Sequence, residues 1–231
     1  MIFKKKFKLL VLLTPLLLLS CVSETERGVL DDIAEVYNGD VTYTKSFVSN
    51  TKGKNTTFNV FIKNSTLGDT LPRTVSTANA AVMIFDALTD DEKTEYSHVQ
   101  VSFISTASDT LGYTYKVSEL APVNHKSKIF HDFSKRIVNK NFEGLDALKS
   151  NKDIPKSMSV NIKSGLSNTE KEHGLIQSYT LFGIAEETDD IGKLYQFQSY
   201  LLFADGHTLK YLVVIDATEG NDKIVGYRFF D

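Results

Sequence analysis

Lys193-Leu194-Tyr195-Gln196-Phe197-Gln198-Ser199-Tyr200-Leu201-Leu202-Phe203-Ala204-Asp205-Gly206-His207-Thr208-Leu209-Lys210-Tyr211-Leu212-Val213-Val214-Ile215-Asp216 decides the fold. Aromatic and β-branched residues run on both sides of Asp205-Gly206, a dipeptide that supplies the positive φ of a tight hairpin turn. A two-residue turn pairs Ala204 with His207, and therefore Tyr200 with Tyr211. One face then carries Leu202, Tyr200, Gln198 and Gln196 opposite Leu209, Tyr211, Val213 and Ile215. The other carries Phe203, Leu201, Ser199, Phe197 and Tyr195 against Thr208, Lys210, Leu212, Val214 and Asp216. An antiparallel sheet normally turns one face to water. Two apolar faces predict helices over one and the first half of the chain over the other, in preference to a second copy. Gln196 and Gln198, at the polar end of the mostly apolar face, mark the expected mouth of a pocket.

Working outward, 223–230 reads as a further strand, and 175–186 and 158–163 as two earlier ones. Before them Ile129, Phe130, Phe133 and Ile137 recur at helical spacing. A change of phase near Asn141 and Gly144 predicts a second short helix over 142–150. Helices followed by a meander of strands is an α+β order. The first half repeats it differently. Val29, Ile33, Val36 and Tyr37 predict a helix ended by Asn38-Gly39, followed by a hairpin that turns at Lys52-Gly53-Lys54-Asn55. Val75, Ala78, Val82 and Phe85 predict the clearest helix of this half. Thr89 and Glu92 have the spacing of a capping box, and two more strands lie about Ser108-Asp109-Thr110. The expectation is an α+β chain of two consecutive helix-plus-antiparallel-sheet units, 28–122 and 123–231, with the boundary at Ala121-Pro122.

The stretch Glu172-His173-Gly174-Leu175-Ile176-Gln177-Ser178-Tyr179, with Lys223-Ile224-Val225-Gly226-Tyr227-Arg228-Phe229, resembles the cystatin-like or NTF2-like class. That resemblance covers about residues 126–231 and implies a curved sheet folded around a helix as a cone. Such domains include enzymes and binding modules alike, so no residue-level role transfers.

The other resemblance lies at the opposite end of the chain. Lys4, Lys5, Lys6 and Lys8 precede the apolar run 9–19, which is too short to span a bilayer at roughly 20 residues per crossing. Leu18-Leu19-Ser20-Cys21 closes the run, and Cys21 is the only cysteine of the 231 residues. The pattern resembles the lipobox of a bacterial lipoprotein. It implies a signal peptide over 1–20, removed by signal peptidase II, and lipid chains, palmitate among them, on Cys21. Two or more acyl chains anchor a protein stably, so the expected partner is a lipid bilayer, held through the acylated cysteine. The expected location is the cell envelope, at the outer membrane, facing the periplasm or the surface. Residues 21–27, with Glu24 and Glu26, read as an acidic tether resembling those of surface-exported lipoproteins of the Bacteroidota. Asp69-Thr70-Leu71 and Asp109-Thr110-Leu111 resemble the O-glycosylation acceptors of that group, at Thr70 and Thr110.

The whole chain carries 26 basic and 29 acidic residues. Loss of 1–20 removes four lysines and no acid, which makes the remainder acidic and disfavours nucleic acid as a partner. No residues have the spacing of a metal site, a serine elbow or a phosphate loop, so no catalytic residue, metal ligand or cofactor is assigned. His98, His125, His131, His173 and His207 are scattered, with His131 beside Asp132 and Lys135 on an expected solvated face. Glu186, Glu187, Asp189 and Asp190 read as a solvated loop rather than a calcium site. The leading expectation is a non-catalytic binding or scaffold lipoprotein whose partner is an envelope protein or a small ligand. The alternatives are an enzyme with its site in the C-terminal cone, or an inhibitor or immunity protein.

Overall fold

A computed structural model describes residues 23–50, 53–67, 70–105, 110–154, 156–190 and 192–230. Cys21, the whole of 1–20, Asp69 and Asp109 lie outside the described residues. The chain is α+β, with two four-stranded sheets, each accompanied by helices.

The first unit runs α1 (Glu24–Tyr37), β1 (Asp40–Asn50), β2 (Gly53–Lys63), α2 (Arg73–Ala87), α3 (Asp90–Glu95), β3 (His98–Ile104) and β4 (Thr110–Lys116). Helix α1 starts five residues before Val29, where the apolar spacing begins. Ser23 and Glu26 form a capping box, each side chain bonding the other's backbone N–H at 3.1 Å. Glu26 is buried, and its Oε1 accepts from Tyr96 Oη at 2.6 Å and Lys45 Nζ at 2.9 Å. Burial works against the Lys45 charge, but its bonds to Tyr96 and Glu26 outweigh this and raise its pKa. The segment 24–27, expected as part of a tether, is thus the first turn of a helix, with Glu26 buried and Glu24, Thr25 and Arg27 exposed. At the other end Asn38 takes the left-handed conformation (φ 46°) as expected, and the capping box at Thr89 starts α3.

The sheet order is β1-β2-β3-β4, with antiparallel outer pairs. Its central pair, β2 and β3, is parallel. Parallel neighbours need a long crossover, which α2 and α3 supply. The β1–β2 hairpin pairs Asn50 with Gly53, so Gly53 to Asn55 belong to the strand rather than to the turn.

The second unit runs α4 (Val117–Val138), a 3-10 helix (Phe142–Ala147), α5 (Met158–His173), β5 (Ile176–Asp189), β6 (Gly192–Phe203), β7 (Thr208–Asp216) and β8 (Ile224–Phe230). The boundary expected at Pro122 falls inside α4. Pro122 lacks the N–H that would bond the Ser118 carbonyl and its ring crowds that carbonyl, yet the helix continues, with Leu120, Asn124, Ser127 and Phe130 buried along it. Lys126 is also buried on α4. Its ammonium donates to the Thr218 and Asn221 carbonyls at 2.9 Å and to Asp222 at 3.0 Å, pinning the β7–β8 loop.

The segment 158–163, expected as a strand, is helical, so the second sheet has four strands, β5-β6-β7-β8. The hairpin register also differs by one residue. Phe203 N–H bonds the His207 carbonyl at 2.9 Å and Gly206 N–H bonds that of Phe203 at 3.0 Å, with Gly206 at φ 90°. This is a three-residue loop, Ala204-Asp205-Gly206, with glycine at the left-handed position. Tyr200 therefore pairs with Lys210, and Ser199 with Tyr211. The shift sorts the side chains. Phe203, Leu201, Ser199, Phe197 and Tyr195 share a buried face with Leu209, Tyr211, Val213 and Ile215, under α4. Phe130 of α4 stacks on Phe197 and Tyr211 with ring centroids 5.5 and 6.0 Å away. Leu202, Tyr200, Gln198 and Gln196 lie on the other face with Thr208, Lys210, Leu212, Val214 and Asp216, a mixed and partly exposed set. The two wholly apolar faces expected from the sequence are therefore one apolar and one mixed face.

Helix α2 joins the units, packing on α1, α4, β3, β4 and β5. Buried residues of both sheets belong to one hydrophobic core. At the junction, Gly183 sits where β5 bulges, and a Cβ there would lie 2.4 Å from Val75 Cγ1 on α2. Glycine is needed for this close approach.

Candidate functional site

A cleft of about 920 Å³ opens at this junction. Helix α2 contributes Asn79, Val82, Met83 and Asp86, which recur every three or four residues and so line one face. Val29, Asp32, Glu35 and Val36 of α1 form one wall, and Asn124, Ser127 and His131 of α4 another. Tyr179 and Leu181 of β5, with Tyr200 and Leu202 of β6, complete the lining on the side of the second sheet.

Asn79 is wholly buried. Its amide nitrogen donates to Tyr37 Oη at 3.0 Å and to the Leu181 carbonyl at 3.1 Å. A carbonyl can only accept, which fixes the orientation of the amide. Asn79 Oδ1 is left without a partner among the described residues, as is the buried Ser76 hydroxyl. Tyr37 Oη lies 2.7 Å from the Ser76 carbonyl and 3.0 Å from that of Phe182, so its proton serves one of them while its oxygen accepts from Asn79. Burial pushes the Tyr37 pKa far up, against the opposing hydrogen bond from Asn79. It remains a neutral phenol that ties α1, α2 and β5 together.

On the opposite wall, His131 Nδ1 lies 3.0 Å from Tyr179 Oη. Burial, and then the charge of Lys135, lower the His131 pKa, with Asp86 opposing. The imidazole is therefore neutral at neutral pH. Asp86 accepts from Asn124 Nδ2 at 2.8 Å, and Asp32 and Glu35 are exposed on α1. Ser127 donates to the Asn124 carbonyl at 2.8 Å and not to His131. The described lining thus combines apolar walls, three carboxylates, a neutral imidazole and the amides of Asn38, Asn79 and Asn124. That composition suits recognition of a ligand.

The candidate site residues read from sequence, Gln196, Gln198, Thr70 and Thr110, lie outside the described lining. Gln196 and Gln198 share a face of β6 with Tyr200 and Leu202 but lie farther along the strand, outside the cleft lining. Gln196 Nε2 donates instead to Glu187 Oε2 at 2.5 Å. Thr70 donates its hydroxyl to the Leu67 carbonyl at 3.0 Å, and Thr110 is the first residue of β4 rather than part of a turn. Glu186, Glu187 and Asp189 belong to the extended β5 strand, not to a loop. His131, expected on a solvated face, is half-buried in the cleft wall. His173 and His207 stack with centroids 3.8 Å apart, and His173 Nδ1 lies 2.9 Å from Asp205. Among the described residues no three His, Cys, Asp or Glu side chains converge as a metal site. Nor is any described helix long and apolar enough to cross a membrane. The available signal for the cleft was Asn79 and Asp86, two polar residues seven apart and so on one face of the mostly apolar second half of α2.

Compared with known proteins, the chain matches no protein-family model, no curated protein and no solved structure.

Proposed function

We propose that this chain is a lipid-anchored protein of the cell envelope that binds a small ligand in the cleft between its two sheet units. The observation that carries the binding half is the cleft itself. Its volume of about 920 Å³ lies within the range of small-molecule sites, and its apolar walls with a few converging polar groups have the usual composition of one. The anchoring half rests on Lys4 to Cys21, where a basic cluster and a short apolar run end in the only cysteine. Since Ser23 caps α1 and the helix begins at Glu24, lipid on Cys21 would leave almost no spacer between bilayer and folded domain. Metabolic labelling with palmitate, followed by membrane fractionation, tests the anchor. The native chain is expected to take up label and sediment with membranes, and Cys21→Ala to do neither. Unchanged membrane retention of Cys21→Ala would remove the lipoprotein reading.

A further inference from the structure

We infer that the cleft selects a small organic cation, an ammonium or guanidinium group carried on an apolar body. This inference rests on the binding reading above and adds the charge and hydrogen-bonding character of the ligand. Among the described residues three carboxylates, Asp32, Glu35 and Asp86, line the cleft from two helices, and no lysine or arginine does. The one basic side chain of the described lining, His131, is half-buried in the wall and engaged by the Tyr179 hydroxyl at 3.0 Å. A concave site lined by charges of one sign concentrates counter-ions of the other.

The second observation is independent of charge. Asn79 lines the cleft and is wholly buried, its NH₂ is committed to Tyr37 and Leu181, and its Oδ1 has no partner among the described residues. A buried acceptor left unmatched is costly and favours a ligand that brings a donor. Ammonium and guanidinium groups are donor-only. A carboxylate or phosphate would meet both the carboxylates and this acceptor with the wrong character. Val82, Met83 and Leu181 supply the apolar surface for the rest of the ligand.

Benzylammonium, benzyl alcohol and benzoate share a ring and differ in charge. Each is titrated at pH 7.5 and low salt into the purified full chain in a nonionic detergent, with the Met83 methyl resonance as readout. Benzylammonium is expected to bind at least ten-fold more tightly than the other two. The double variant Asp32→Asn/Glu35→Gln, at exposed positions of α1, is expected to weaken benzylammonium at least five-fold and to leave benzyl alcohol unchanged. Equal or tighter binding of benzyl alcohol or benzoate, or an unaltered benzylammonium affinity in the double variant, overturns the cation inference and leaves the binding reading standing. If none of the three moves the Met83 resonance, the binding reading falls as well.

Discussion

Single polar residues hold this fold at points that an apolar pattern does not reveal. Asp146, in the 3-10 helix, caps the start of α5. It accepts from Met158 N–H at 2.7 Å, from Ser159 Oγ at 2.6 Å and from Ser157 Oγ at 2.8 Å. The Ser159 hydroxyl, followed by that of Ser157 and the Met158 and Ser159 backbone, holds its carboxyl below the usual carboxylate range. Asp146→Ala is expected to cost about 1 kcal/mol in urea unfolding at pH 7. A folded-state pKa below the unfolded one means that this contribution is present above the ordinary aspartate pKa and is lost as pH falls through the folded value. The gap between native and variant should therefore shrink in strong acid, and a gap that stays constant with pH would show that the carboxylate charge is not what caps α5. Asn79 and Tyr37 could not be assigned a role from sequence, because their partners lie far along the chain, at Leu181 and Phe182. His131 was misplaced for the same reason. Its sequence neighbours are charged, while its spatial neighbour is Tyr179.

At the scale of elements, the tightest joint between the two units is α2 against β5. Gly183→Ala would drive a methyl group into Val75, 2.4 Å from its Cγ1, and overpacking of this kind costs about 1–3 kcal/mol. Val75→Ala vacates that space. Chemical denaturation of the two single variants and the double variant should show a coupling above about 0.5 kcal/mol in favour of the double, and strict additivity would deny the contact. The strands 175–186, 193–204 and 207–217, and helices α1 and α2, are legible in the sequence because one period dominates each, and α3 because Thr89 and Glu92 have the spacing of a capping box. Segment 158–163 is not. Met158, Val160 and Ile162 alternate like a strand, yet the buried set is Met158, Ile162 and Leu166, a helical row, and Val160 is left 64% exposed. In the 193–216 hairpin the sequence marks the strands but not the loop length, because Asp205-Gly206 suits a two-residue turn and equally the last two positions of a three-residue one. One residue of register then exchanged the faces of β7 relative to β6.

For the whole molecule, the sequence suggested two units in succession, and the structure joins them through α2, α4 and one shared core. Pro122 read as a boundary because proline commonly breaks helices, but α4 runs through it and touches β4 as well as β5, β6 and β7. The cleft exists only where α1 and α2 of the first unit meet α4, β5 and β6 at the second, so its integrity depends on the two halves folding together. That dependence is the central claim, and urea unfolding followed at two methyl-labelled positions tests it directly. Val60 reports on the core of the first sheet and Val213 on that of the second, both fully buried. A shared core predicts a single cooperative transition with one midpoint at both positions. Two separated midpoints, with the Val82 and Met83 resonances of the cleft surviving the loss of Val213 packing, would contradict it.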